Sequence, residues 1–191
     1  MTALALIESI GALAIENATA TALKVQRWRS EETRIMTLQG PWTDLQHAVR
    51  ELDFTEKPAR DGTGRDLSWQ IGDLSSEAGA AGWPLDKWLF TVISTIPADD
   101  QEEFEEWFDT EHIPLLLSIP GWRISRRYQV MASSDGSTHL TLHLLDGPHV
   151  LHAPERAAAA NTGWASSLAN RSWFALNRRT VYAPLSGTRP A

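Results

Sequence analysis

Residues 22–41 (ALKVQRWRSEETRIMTLQGP) and 122–148 (WRISRRYQVMASSDGSTHLTLHLLDGP) carry one punctuation twice. Each has two runs of strand-forming residues, a polar turn between them, and a closing Gly-Pro. A hairpin repeated in this way implies two similar units in one chain. The second unit reads clearly. Lys87–Ile96 is rich in β-branched and aromatic residues and reads as a strand ended by Pro97. Asp99, with Glu102 three residues on, reads as the N-cap of a helix. Phe104, Trp107, Phe108, Glu111 and Leu115 then follow helical spacing, and Pro114 should kink or restart the helix.

Two strands follow, Trp122–Met131 and His139–Leu144, joined by the turn 133–136. A helix from Pro154 to Asn161, stopped by Gly163, and a last strand, Arg179–Ala183, complete the order β-α-β-β-α-β. The first unit repeats it: strand Ala3–Ile7, weak helix Ile10–Asn17, strands Thr21–Arg29 and Arg34–Gln39, helix Trp42–Leu52, strand Leu67–Ile71. Segments 54–66 and 73–86 read as loops or linker. The expected architecture is α+β. Two ferredoxin-like units, 1–80 and 81–191, set their sheets against each other as an α+β barrel with a cavity between them.

Composition narrows the function. The 191 residues carry 17 Lys and Arg against 24 Asp and Glu, so the net charge is −7, which argues against a nucleic-acid partner. There is no Cys, which removes disulfides, thiolate nucleophiles and metal–thiolate sites. No apolar run approaches the roughly 20 residues a membrane helix needs. The first Lys is Lys24, and Glu8 and Glu16 break the N-terminal apolar stretch, unlike a secretory signal. The expected location is the cytoplasm, with no membrane partner. Nine Trp against two Tyr suggest an aromatic-lined cavity.

The stretch 102–130 carries W-F-D-T-E-H-I-P at 107–114, I-P-G-W at 119–122, and an Arg-rich strand after it. In these features the chain resembles the EthD-like branch of the dimeric α+β barrel superfamily, over about residues 87–186. The resemblance implies a ferredoxin-like barrel but no single reaction, because this fold hosts mutarotases, lactone isomerases, cofactor-free monooxygenases, dehydratases and haem enzymes. Relatives such as the rhamnose mutarotases use a His on the first helix, followed by Pro. The resemblance carries that role to His112.

His112 titrates nearest neutrality and can move protons, with Glu111 beside it to raise its pKa and fix a tautomer; alternatively it caps the helix. His139, Thr141 and His143 share one strand face, opposite Leu140, Leu142 and Leu144. If the leucines pack on helices, the histidines look into the barrel. Roughly 13 Å of strand rise separates the two histidines, too far for one metal, so no metal site is expected. Arg126 and Arg127 point to opposite faces, and either could hold an oxyanion in the cavity.

The expected catalytic set is therefore His112, Glu111, Arg126, His139 and His143. Trp88, Trp107, Trp122, Arg127, Tyr128 and Thr141 are the expected substrate-binding residues. The leading reading is a cofactor-free lyase, dehydratase or isomerase acting on an apolar, aromatic or polyketide-like small molecule. A haem-dependent barrel and a non-catalytic ligand-binding or interaction module are the rivals. A second copy of the chain is left open as a partner.

Overall fold

A computed structural model describes residues 3–10, 24–29, 33–41, 43–46, 48–49, 67–84 and 86–185. The strands are β1 (Ala3–Ile10), β2 (Lys24–Arg29), β3 (Thr33–Gly40), β4 (Leu67–Gly79), β5 (Trp88–Ser94), β6 (Trp122–Ser133), β7 (His139–Leu145) and β8 (Arg178–Pro184). They close into one barrel in the order β1-β3-β2-β8-β5-β7-β6-β4. Within that circle β4-β1-β3-β2 and β8-β5-β7-β6 are the same four-strand order, so the doubled ferredoxin-like plan is realised. The halves are stitched edge to edge, β4 to β6 and β2 to β8. One chain therefore satisfies its own sheet edges.

The second half carries α1 (Ala98–Trp107), α2 (Ile113–Leu117), α3 (Pro154–Ala160) and α4 (Gly163–Ala169). In the first half, residues 43–46 and 48–49 are helical, within the expected Trp42–Leu52 helix. Ile10 ends β1 instead of starting a helix, and the rest of the expected Ile10–Asn17 helix lies outside the described residues.

Several boundaries differ from the sequence reading. Pro97, not Asp99, occupies the N-cap of α1, and no side chain caps it; Asp99 sits in the first turn. Gly163 starts α4 instead of ending a helix, because the Thr162 hydroxyl accepts the Ala165 N–H at 3.1 Å and caps a new one. β4 runs on through 73–79, which had read as linker. Its polar residues lie along the seam with β6, where the register shifts between Leu74 and Ser76. Gly79 closes it at φ +110°, and a Cβ there would stand 2.3 Å from the Arg123 carbonyl oxygen.

The barrel interior is packed, not hollow. Leu4, Leu6, Trp28, Leu89, Ile93, Ile124, Tyr128, Leu140, Leu142, Leu144 and Tyr182 form one core there. An eight-stranded barrel is just wide enough for side chains to fill. Leu140, Leu142 and Leu144 of β7, each 0% exposed, point inward, while Leu145 at its end joins the core on the helix side. His139, Thr141 and His143 point outward onto the helices, the reverse of the expected assignment. A second core lies between that outer face and α1–α4, built on Phe90, Phe104, Trp107, Phe108, Trp122 and Trp173.

Candidate active site

The space between the sheets, the expected place of the cavity, is occupied by the barrel core. A cavity of about 140 Å³ lies instead outside the barrel, between the β5/β7 face and the helices. Register builds its floor: Phe90 pairs with His143 and Val92 with Thr141. Val92 also pairs with Arg179 of β8. Trp107, Phe108 and His112 descend from the first helix, and Arg156 lies on α3.

Pro114 explains how His112 reaches this position. It has no N–H, so the helical ladder cannot continue regularly beneath it. The chain widens to a π-helical turn over Phe108–His112, with the Ile113 N–H bonded back to the Phe108 carbonyl, before α2 resumes. The inserted residue turns the later helix face by about 100°. Two carboxylates of the motif fasten this turn. Asp109 accepts from Arg127 at 2.9 Å and from the Ser76 hydroxyl at 3.0 Å. Glu111 accepts from Trp107 Nε1 at 3.0 Å and from the Thr162 hydroxyl at 2.6 Å.

Glu111 is therefore a clamp between two helices and not the partner of His112. The His112 ring stacks on Trp107 at 4.2 Å, and its Nδ1 is buried without a hydrogen-bond partner. Burial, and then the charges of Arg156 and Arg179, lower its pKa to about 4. The expected upward shift from a carboxylate is reversed, because burial disfavours the charged ring and the charges that act on it are positive. Nor does the ring cap helix carbonyls: no hydrogen bond reaches it among the described residues.

His143 is 2% exposed and stacks on Phe90 at 5.5 Å. Trp122 Nε1 lies 3.3 Å from its Nδ1, and the Ser125 hydroxyl lies 2.8 Å from the same atom. Indole N–H only donates, so Nδ1 is the acceptor and the proton sits on Nε2. Burial, the first cause, drives the pKa of this ring well below the usual histidine value, so it stays neutral. The result is a fixed N–H donor in the cavity wall.

The remaining expected residues divide. Trp107, Trp122 and Thr141 line the cavity. Trp88 packs on the same core without lining it. His139 lies beside it, with Nδ1 2.9 Å from the Thr138 hydroxyl and Nε2 3.5 Å from Glu105 Oε1. Arg127 points to the helix side but is bound to Asp109 and stacked over Phe108 at 5.0 Å. Arg126 turns to the barrel face with Tyr128, paired with Glu77 and lying over Trp83 at 4.3 Å. Neither arginine reaches the cavity. The two that do, Arg156 and Arg179, escaped the sequence reading. Arg179 was discoverable, since the Arg178-Arg179 doublet must place one guanidinium on each face of β8. Arg156 sits in an Ala-rich helix and gave no pattern.

Because Arg127 joins β6, β4 and α1, Arg127→Ala should leave Asp109 with the Ser76 hydroxyl but no cation, and loosen the π-helical turn. About 1–3 kcal/mol of stability should be lost, read as a lowered denaturant midpoint. An unchanged midpoint would refute this anchoring role.

This architecture has relatives among solved structures. An anthrone oxidase-like protein superposes with a TM-score of 0.64 at 12% identity, over 95% of this chain and 90% of that one. A monooxygenase-like protein from Listeria innocua gives 0.58 at 10% identity, over 97% and 95%. A heme-degrading enzyme from Listeria monocytogenes gives 0.56 at 8% identity, over 94% and 98%. The chain has the dimeric α+β barrel fold. At these identities the likeness carries the fold and nothing about reaction. No protein-family model matches the chain, and the search of curated proteins found no match.

The likeness to a heme-degrading enzyme calls for a test of fit. The cavity is close to the ~150 Å³ that accommodates a single benzene ring. A porphyrin carries four pyrrole rings around its iron. The residues present do not fit haem, although His112 and His143 could each offer a nitrogen. No helix among the described residues is long and apolar enough to cross a membrane.

Proposed function

We propose that the protein is an enzyme, an isomerase or lyase, that moves a proton on a single-ring molecule held between His112 and His143. One observation supports this reading above the others. An uncharged histidine without a hydrogen-bond partner and a histidine with a fixed tautomer share one ring-sized, aromatic-walled cavity. His112 Nε2, the nitrogen not sealed from the cavity, takes the proton from a carbon beside a carbonyl. The carbonyl oxygen gains negative charge and accepts a hydrogen bond from His143 Nε2–H. The proton then returns to carbon. Phe90, Phe104, Phe108 and Trp122 exclude water from the step. The W-F-D-T-E-H-I-P motif at 107–114 supports placing the second unit in the EthD-like branch.

Deuterium exchange tests the reading. Phenylacetone is a neutral one-ring ketone whose benzylic hydrogens exchange through the enolate. In D₂O the wild-type protein should accelerate that exchange, followed by proton NMR, and His112→Gln should lose about 100-fold or more of it. Binding should also quench Trp emission, because Trp107 and Trp122 wall the cavity. Exchange undiminished in His112→Gln would remove His112 from the reaction. Quenching without exchange would make the barrel a ligand-binding module.

A further inference from the structure

Seven arginines fall between residues 86 and 185. Five are neutralised by carboxylates: Arg123 by Asp146, Arg126 by Glu77, Arg127 by Asp109, Arg171 by Asp100 and Glu103, Arg178 by Glu8 and Asp135. The two without an acidic partner among the described residues are Arg156 and Arg179, the two that line the cavity. The chain has an acidic excess, with a net charge of −7, so carboxylates are not scarce. Yet no Asp or Glu lines the cavity. With both histidines neutral, its wall carries two uncompensated positive charges.

Arg179 is aimed by its surroundings. Its guanidinium donates to the Asn177 carbonyl at 3.2 Å and the Phe174 carbonyl at 3.5 Å, and it lies over the Phe174 ring at 5.4 Å. The Arg156 backbone N–H bonds the Ala153 carbonyl, and its guanidinium has no hydrogen bond among the described residues. The two are close enough that each influences the pKa of His112, and Arg156 lowers that of Arg179. A planar guanidinium fork matches a carboxylate, and an apolar wall below it matches a ring.

We propose that the ligand of this cavity is an anion, a carboxylate carried on a single ring, with its charge held between Arg156 and Arg179. The inference rests on the cavity being the substrate site. It also gives the arginines a part in proton transfer. The charged and titratable groups facing His112 are Arg156, Arg179 and His143. A bound carboxylate offsets one of the two positive charges that, after burial, hold the His112 pKa down. His112 then becomes a stronger base only when the ligand is present.

The test compares phenylacetate with phenylacetamide, the same ring with and without the charge, by titration of the intact chain. Phenylacetate should bind at least tenfold tighter, and Arg156→Ala and Arg179→Ala should each abolish that preference. Arg156→Ala is the cleaner variant, because no internal hydrogen bond is lost with it. Saturating phenylacetate should also move the His112 ring titration upward in NMR spectra. Equal affinity for the two probes, or an undiminished preference in both variants, overturns the anion site and leaves the ring-binding cavity standing. Failure of both probes to bind overturns both readings. Inorganic phosphate competing as well as phenylacetate overturns the ring-borne carboxylate.

Discussion

Leu142→Ala should destabilise the protein by about 2–5 kcal/mol, the range for deleting a fully buried leucine. The side chain is 0% exposed and packs inside the barrel with residues of both halves, among them Leu4 and Leu6 of β1 and Leu140 and Leu144 of its own strand. A closed barrel cannot collapse easily around a deleted side chain, because its backbone ladder is continuous. The loss should therefore lie toward the upper end of the range. Leu142→Met, which keeps the volume, should cost less than about 1.5 kcal/mol. Equilibrium denaturation of the three proteins decides. A loss below 1 kcal/mol for the alanine variant would mean that the interior is not packed there. The leucine face would then have to be reassigned to the helices.

The second large effect is acid sensitivity between pH 6.5 and 4. His112 titrates near its ordinary 6.5 when unfolded and at about 4 when folded. Within that window the unfolded chain binds the proton and the native state refuses it. Stability therefore falls as pH drops, and is fully recovered above 6.5. The shift corresponds to about 3 kcal/mol for this one ring. His143, held neutral by deeper burial, adds to the same slope. Asp146, lowered to about 2 by its Arg123 partner, loses its proton-linked stability only at lower pH and does not confuse the reading. Unfolding free energies at pH 7 and 4.5 should differ clearly in the wild-type protein. The difference should shrink by most of 3 kcal/mol in His112→Phe, which keeps the ring and removes the titration. Equal losses in the two proteins would mean that His112 is not buried in its neutral form. A ligand of the kind inferred above should reduce the slope in the wild-type protein, since it opposes the charges of Arg156 and Arg179.

Much of this protein is written in local sequence. Alternation in HLTLHL set Leu140, Leu142 and Leu144 against His139, Thr141 and His143, and the two Gly-Pro-ended hairpins announced the doubled unit. The 107–114 motif marked the helix that carries His112, and Pro114 marked its irregularity. These features are legible because strand period, turn chemistry and the missing proline N–H act over a few residues.

What the sequence could not decide was direction. A period of two states which side chains share a face and is silent on which face looks inward. That choice was made by barrel closure, which seals β4 to β6 and β2 to β8 and leaves an interior only wide enough for leucines and rings. The same choice carried the histidines to the helix side and placed the cavity outside the barrel. It also turned Arg126 to the barrel face and gave Arg127 to Asp109. Arg156 and Arg179, 23 residues apart in the chain, meet at His112 only because the tertiary fold brings α3 and β8 to one cavity. Such a meeting is fixed by long-range packing, and no local pattern records it.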